Sequence, residues 1–432
     1  MLELNKIYNM DCMEGMKLIA DNSIDSIVTD PPYELGFMGN KWDSTGIAYN
    51  VELWQEALRV LKPGGHLLAF GGTRTYHRMV CAIEDAGFEI RDCIQWLHSM
   101  GFPKSHDISK AIDKRAGAER KVIGKSSRHG GGIKGNGTSY ELPPDIPYIT
   151  APATPEAQEW DGWGTALKPA NEPIVLARKP LSEKTVAENV LKWGTGGLNI
   201  DGCRIPVGEN ELKPTVRGAG VHKTGNERLT GWNRDEYDGT YTPNEAGRFP
   251  ANVILDEEAG KLLDEQSGNL KSGGTRPNGI NKSEQSWKNT SKEIIANNYI
   301  PPSEGGASRF FYCAKASRKE RNMGLEDVDP TTVDDGRNKP IDNPFLRGKT
   351  PRQNTHPTVK PVKLMEYLIT LITPPNGIVL DPFFGSGTTG VAAVNLGFNY
   401  IGIELDEQYV EIARRRINAA REQFHKHMEV AK

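Results

Sequence analysis

The stretch Ser26-Ile27-Val28-Thr29-Asp30-Pro31-Pro32-Tyr33 decides how the chain is read. Its opening residues are mostly β-branched, which suits a short buried strand. Pro31 and Pro32 then end that strand, because proline donates no hydrogen to a ladder and disfavours helix in the residue before it. Open α/β sheets bind their ligands at such carboxyl ends. This end carries the Asp30 carboxylate, two proline carbonyls and the Tyr33 ring. Carboxylates and carbonyls accept hydrogens, and an aromatic face stacks on a flat ring. The corner therefore suits a planar amine; the plainer alternative is a strand that merely ends in a proline turn.

Working outward, strand and helix patterns alternate. Leu2-Glu3-Leu4 and Ile7-Tyr8 precede a helical pattern on Met13, Met16, Leu18 and Ile19. Val51 to Lys62 has helical period, with Trp54, Ala57, Leu58 and Leu61 on one face and Pro63-Gly64-Gly65 as its stop. His66–Phe70 reads as a strand, Tyr76, Met79, Val80 and Ile83 as a helix face, and Phe88–Leu97 as a strand. Glu172–Ala177 adds another. After His356, Pro361 stands at a helix's first position, ahead of Leu364, Met365, Leu368, Leu371 and Ile372. Ile378–Leu380 and Tyr400–Ile403 read as strands. A last helix, capped near Asp406, buries Tyr409, Val410, Ala413, Ile417 and Ala420 and turns Arg414, Arg415, Arg416 and Arg421 to solvent. This alternation predicts an α/β fold: a mixed, mostly parallel sheet with helices on both faces.

The second chemical element is Asp381-Pro382-Phe383-Phe384-Gly385-Ser386-Gly387-Thr388-Thr389-Gly390. It follows a strand and opens a helix. Gly385, Gly387 and Gly390 have the Gly-x-Gly-x-x-Gly spacing of a nucleotide-binding turn, and Glu404 lies 19 residues beyond Gly385, placed to bond a ribose. A pyrophosphate would be repelled by Asp381, whereas an ammonium or sulfonium would be attracted. Adenosine with a cationic amino-acid tail fits, which is S-adenosylmethionine. Asp381 also reads as a helix cap, and the two roles are compatible. Gly124-Lys125-Ser126 is no phosphate loop, since Glu119 stands where the first glycine belongs. No Pro-Cys dipeptide offers a thiolate for attack on a cytosine ring carbon.

At this point the chain resembles the amino-methyltransferases of DNA in the permuted (beta) order. In that family the Asp-Pro-Pro-Tyr corner comes first and the Phe-x-Gly-x-Gly-Thr loop last. The resemblance covers roughly residues 1–100, 170–180 and 355–425, and it implies a Rossmann-like, S-adenosylmethionine-dependent fold with inserted loop-rich DNA-recognition regions. It implies catalytic Asp30, Pro31, Pro32 and Tyr33, acting on N6 of a flipped-out adenine: Tyr33 stacks on the base, while the Asp30 side chain and the Pro31 carbonyl accept the amino hydrogens. It implies cofactor contacts at Asp11, Cys12 and Asp30, at Asp381, Pro382, Phe383, Gly385, Ser386, Gly387, Thr388 and Thr389, and at Glu404 and Leu405. His356-Pro357-Thr358-Val359-Lys360-Pro361 matches the segment enclosing the cofactor's methionine part, which adds Thr358 and Lys360. Asp as the first motif residue favours adenine over N4 of cytosine, a preference that rests on the resemblance. Rival readings are an NAD-dependent oxidoreductase and a non-catalytic DNA-binding protein; neither accounts for both corners.

The 432 residues suggest the catalytic parts 1–100, 166–180 and 351–425, a basic, Gly-rich insertion at 101–165, a target-recognition region at 181–350 and a tail at 426–432. Segment 266–308 and the Gly-rich run 130–137 read as loops; Val253–Leu255 and Phe310–Tyr312 read as strands. The net charge of −3 announces no nucleic-acid binder, so DNA contact must be local. Between Lys104 and Lys134 nine Lys and Arg face three Asp and Glu, which nominates Lys104, Lys110, Lys114, Arg115, Lys121 and Arg128 for phosphates. Five scattered cysteines without a Cys-x-x-Cys pair argue against disulfides and against a metal site. With no leader pattern and no membrane-length apolar run, the cytoplasm of a bacterium, or of a phage's host, is expected. The expected partner is double-stranded DNA, with a second copy of the chain and a cognate restriction endonuclease as further candidates.

Overall fold

The computed structural model describes residues 2–36, 41–99, 101, 105–125, 148–208, 215–216, 240–241, 244–275, 299–314, 318–329, 331–332 and 351–430. Its centre is a nine-stranded sheet. In chain order the strands are β1 Lys6–Asn9, β2 Ile24–Thr29, β3 Leu61–Phe70, β4 Glu89–Leu97, β5 Asn171–Arg178, β6 Val253–Asp256, β7 Tyr312–Ala314, β8 Ile378–Asp381 and β9 Asn399–Glu404. They lie in the order β1-β9-β8-β2-β3-β5-β4-β6-β7. Every pairing is parallel except those of β5, which runs antiparallel to both β3 and β4.

The order has one consequence for function. From β2 the chain builds outward through β3, and from β8 outward through β9 to the N-terminal β1. The reversal falls between β8 and β2, the kind of switch point where open sheets leave a crevice at their carboxyl ends. The prolines after Thr29 and the glycine turn after Asp381 both open into it.

Both faces are covered, so central strands are apolar throughout; all six residues of β2 are buried. The side chains of β3 alternate. Leu67 and Ala69 join the cluster made with α1 (Cys12–Lys17), α2 (Val51–Val60) and α3 (Tyr76–Asp85). Leu68 and Phe70 join the opposite cluster. Further helices are α4 (Ile108–Ala116), α5 (Pro155–Glu159), α6 (Val186–Trp193), α7 (Glu257–Ser267) and α8 (Arg318–Arg321). The opposite cluster is completed by α9 (Val362–Ile372), α10 (Thr388–Leu396) and α11 (Glu407–Val430).

Several expectations change in detail. Helix α2 ends at Val60, and Pro63-Gly64-Gly65 lies inside β3 rather than before it. Ile24 pairs with Leu61 and Ser26 with His66, so the Pro-Gly-Gly run is bulged out of the ladder. Ala307–Phe310 is a 3-10 turn, and the strand there starts only at Tyr312. Pro361 is the cap of α9, one position before its first helical residue. Within 266–308, Leu270–Thr275 pairs antiparallel with Tyr299–Gly305. The Gly-rich run 130–137 lies outside the described residues. Strands β6 and β7 carry part of 181–350 into the central sheet, and α11 continues through the supposed tail to Val430.

Gly402 in β9 shows how tightly the crevice wall is packed. A Cβ there would stand 2.5 Å from the Phe384 ring, which itself stacks on Tyr400. Gly402→Ala should cost about 1–3 kcal/mol through overpacking. Urea unfolding tests this; an unchanged midpoint would contradict it.

Candidate active site

Asp30 directly follows β2, with 18% of its side chain exposed. The Lys360 ammonium, from the segment before α9, sits 2.6 Å from Asp30 Oδ2 and 3.2 Å from Glu172 Oε2. It also donates to the Tyr33 hydroxyl at 3.2 Å, and that hydroxyl donates to Glu172 Oε2 at 2.6 Å. Glu172 comes from β5, and the antiparallel course of that strand delivers the start of β5 to the carboxyl end of its neighbours. Thr75 Oγ1 donates to the Tyr33 carbonyl at 2.6 Å, so the corner is tied by backbone and side chain. Asp30 Oδ1 is buried and accepts no hydrogen bond among the described residues.

The charges follow from these contacts. Burial raises the Asp30 carboxyl above its ordinary range, against the pull of the Lys360 cation. Burial lowers the Lys360 ammonium, but the two carboxylates outweigh it and leave it above the ordinary value. Burial acts to raise Glu172, yet Lys360 and Tyr33 hold it below the usual carboxylate range. Burial and both carboxylates push the Tyr33 phenol well up, so it stays protonated.

Across the crevice, Asp381 ends β8. Its Oδ1 accepts from Thr29 Oγ1 at 2.7 Å and from the Phe383 amide at 3.0 Å, and its Oδ2 from Thr389 Oγ1 at 2.5 Å. These bonds pin the glycine turn to β2. Gly387 caps α10 with φ +79°, and a Cβ there would meet Ala413 Cβ at 2.7 Å, so only glycine fits. Glu404 accepts from the Gly385 amide at 2.6 Å and from the Asp406 amide at 2.8 Å, one oxygen each, leaving each oxygen acceptor capacity. Asp11 caps α1, accepting from the Met13 and Glu14 amides through Oδ1. Burial pushes the Cys12 thiol up to about 12, which leaves it a neutral wall group.

Arg416 departs from expectation. Read as solvated, it is fully buried. It donates to the Ser386 carbonyl at 2.6 Å, to Ser386 Oγ at 3.2 Å and to Thr388 Oγ1 at 3.1 Å. The guanidinium therefore braces the glycine turn from behind.

Both corners open into one cleft of about 1740 Å³. Every residue expected from the sequence to touch cofactor or target lines it, except Gly387, which stands behind the turn. Among the lining residues to which the sequence reading gave no site role are Glu172 and His98, whose Nε2 is 3.8 Å from Glu172 Oε1. Glu172 stands near the start of an apolar strand, just before Pro173, and that charged strand start was the available signal. Lys110, Lys114, Arg115 and Lys121 are exposed on and after α4, away from the cleft lining. Lys104 and Arg128 lie outside the described residues.

Residues 24–415 match the family model described as DNA methylase, of the N6/N4 type. The chain belongs to the N6/N4 DNA methylase family. Among curated relatives of this family member, the type II methyltransferase M.HinfI of Haemophilus influenzae is 48% identical over 65 residues, 15% of this chain and 18% of that protein. M2.DpnII of Streptococcus pneumoniae is 49% identical over 67 residues, 16% of this chain and 25% of that protein. The aligned stretches thus span a quarter or less of those relatives. Among solved structures, the M1.HpyAVI–SAM complex aligns over 96% of this chain and 98% of that one at 17% identity, with a TM-score of 0.37. The N4-cytosine-specific PvuII DNA methyltransferase aligns over 97% and 92% at 13% identity, with a TM-score of 0.41.

Asp381 yields a pH test. Burial pushes its carboxyl up to about 7, against the hydrogen bonds from Thr389, Thr29 and Phe383 and with the Asp30 charge adding to the rise. The folded chain therefore holds this proton more tightly than the unfolded chain does. The group lowers stability progressively as pH rises from about 4 to about 7, and the full cost persists above that. Asp381→Asn lacks the charge. Urea unfolding at pH 4 and pH 8 should show the variant gaining on wild type by up to about 4 kcal/mol across that window. Parallel stability profiles would contradict the assignment.

Proposed function

We propose that the protein is a site-specific DNA methyltransferase that moves a methyl group from S-adenosylmethionine to the exocyclic N6 of an adenine flipped out of double-stranded DNA. The observation that carries this is the meeting of the two corners: the Asp30–Tyr33 acceptor and the Gly385–Thr389 turn share one cleft.

The cofactor fits the donor set of its corner. Glu404 has lone pairs left for a ribose, and Asp11 keeps one oxygen for an adenine amine. At the glycine turn, Lys360 is engaged with carboxylates and Arg416 with the turn itself. A cationic nucleoside without phosphate matches that corner. Asp11, Thr358, the Asp381–Thr389 turn, Glu404 and Leu405 would hold it. When bound, S-adenosylmethionine supplies an electrophilic methyl group on a sulfonium.

The chain's own residues then do three things. Tyr33, fixed through its hydroxyl and its carbonyl, offers a ring face to the extruded base. Asp30 and the Pro31 carbonyl accept the two amino hydrogens, which draws the nitrogen lone pair out of conjugation and aims it. A buried carboxylate oxygen without a donor is costly, and the amino group relieves Asp30 Oδ1. Asp30 also takes the proton released once the nitrogen is methylated, for which no strong base is needed. Positioning is the main contribution.

The parts 101–165 and 181–350, apart from strands β6 and β7, are assigned to DNA contact, with exposed Lys110, Lys114, Arg115 and Lys121 on phosphates. The protein is assigned to the bacterial or phage-infected cytoplasm, as a monomer or homodimer working with or without a cognate restriction endonuclease.

Asp30→Ala should lower methyl transfer at least 1000-fold, roughly 4 kcal/mol of barrier, and leave S-adenosylhomocysteine binding within about threefold. Near-normal turnover would remove Asp30 from the mechanism. Mass spectrometry of DNA from expressing cells should find N6-methyladenine; N4-methylcytosine instead would move the target to cytosine. Replacing Lys110, Lys114, Arg115 and Lys121 together by Ala should flatten the plot of log affinity against log salt by roughly 0.9 for each phosphate no longer neutralised. An unchanged slope would take those residues off the DNA.

A further inference from the structure

We infer that Glu172 and Lys360 are positioning residues of the target pocket: Glu172 fixes the Lys360 ammonium and the Tyr33 hydroxyl together, and Lys360 in turn holds the Asp30 carboxylate charged and oriented as an acceptor. The inference rests on the cleft being a methyl-transfer site.

An ammonium has three hydrogens. Lys360 Nζ donates to Asp30 Oδ2 at 2.6 Å and to the Tyr33 hydroxyl at 3.2 Å, and Glu172 Oε2 stands 3.2 Å away as a second counter-charge. Its charge is thus matched by two carboxylates of the target corner. Lys360 therefore serves the target side of the cleft, although its sequence segment suggested the cofactor side. Its Nζ also lies 5.3 Å from the Tyr33 ring centre and 4.9 Å from that of Phe70, an aromatic setting that suits a held cation.

The Tyr33 hydroxyl is likewise engaged on both sides, donating to Glu172 and accepting from Lys360. A ring anchored in this way keeps its stacking face in place before the base arrives, which reduces the ordering cost of binding. Two carboxylates against one ammonium leave a net negative charge beside the amino group, the sign that favours a nitrogen becoming positive. Glu172 reaches none of the reacting atoms in this arrangement; it acts through Lys360 and Tyr33.

The groups facing this cluster are Asp30 and Tyr33 after β2, His98 after β4, Glu172 on β5, His356 and Lys360 before α9, and Asp381 on β8. Removing Lys360 leaves burial and Glu172 to raise Asp30; removing the charge of Glu172 relieves it. The two changes must therefore shift the acid limb of the rate profile in opposite directions.

Methyl-transfer rates from pH 5.5 to 9 on one duplex test this, with wild type, Lys360→Met and Glu172→Gln. Lys360→Met should lose at least 100-fold at pH 6 and recover at least tenfold of that by pH 9. Glu172→Gln keeps an acceptor for Tyr33; its acid limb should move to lower pH with less than a tenfold loss at pH 8. Affinity for S-adenosylhomocysteine should stay within threefold in both. The same pair in a His98→Gln background excludes His98 as the titrating group. Limbs that move together, or not at all, overturn the inference, as does a tenfold loss of S-adenosylhomocysteine affinity in folded Lys360→Met. If Lys360→Met does not fold, the downward shift in Glu172→Gln still decides. A wild type that methylates no DNA defeats the functional reading itself; an active wild type whose variants keep its profile defeats only this inference.

Discussion

Two strands lying side by side govern the rest of the molecule. Strand β8 pairs in parallel with β2, joining parts of the chain more than 350 residues apart, and the buried Thr29–Asp381 hydrogen bond links their carboxyl ends. Each strand stops abruptly there, one at two prolines and the other at a glycine turn. Because they are neighbours at a reversal of sheet order, the two turns diverge and leave a cleft between them. A shift of one residue in this pairing would turn every side chain of β8 to the opposite face. Both helical layers and both corners thus depend on one register.

The cleft concentrates charge where water is scarce. Asp30, Glu172 and Lys360 are carried into it by three separate segments, and burying any one alone would be prohibitive. Together they satisfy one another, apart from one oxygen of Asp30. Asp381 sits close by but is bound up in hydrogen bonds from Thr29, Thr389 and Phe383, so its work is to hold the turn. The Arg416 guanidinium supports the same turn from the helical layer, and this explains why a basic residue is tolerated in the core of α11.

Much of this was legible in the sequence, because proline, glycine and β-branched residues punctuate a parallel sheet strongly. The strands ending at Asp30, Asp381 and Glu404 were readable to within a residue or two. Helix α6 was missed although Thr185 and Glu188 form a capping box and Gly194 closes it; its exposed Val186, Val190 and Leu191 obscured the amphipathic pattern. The Pro-Gly-Gly run looked like a stop because a bulge inside a strand uses the same residues as a turn. Arg416 was misplaced because it follows Arg414 and Arg415 in an apparently uniform basic run, yet helical rotation turns it inward. That Lys360 pairs with residues of the turn after β2 and of β5 was not legible, a tertiary fact with no local signature.

The central claim is that one cleft receives the cofactor at the glycine corner and the target base at the proline corner. A crystal structure of the protein with S-adenosylhomocysteine and a duplex containing its target is the direct measurement. The account predicts the extruded base stacked on Tyr33, its amino nitrogen hydrogen-bonded to Asp30, and the cofactor's sulfur beyond that nitrogen at a spacing that admits a methyl group in line, with the reacting atoms about 3–3.5 Å apart. A base left in the helix, or a cofactor bound away from the Gly385–Thr389 turn, would contradict it.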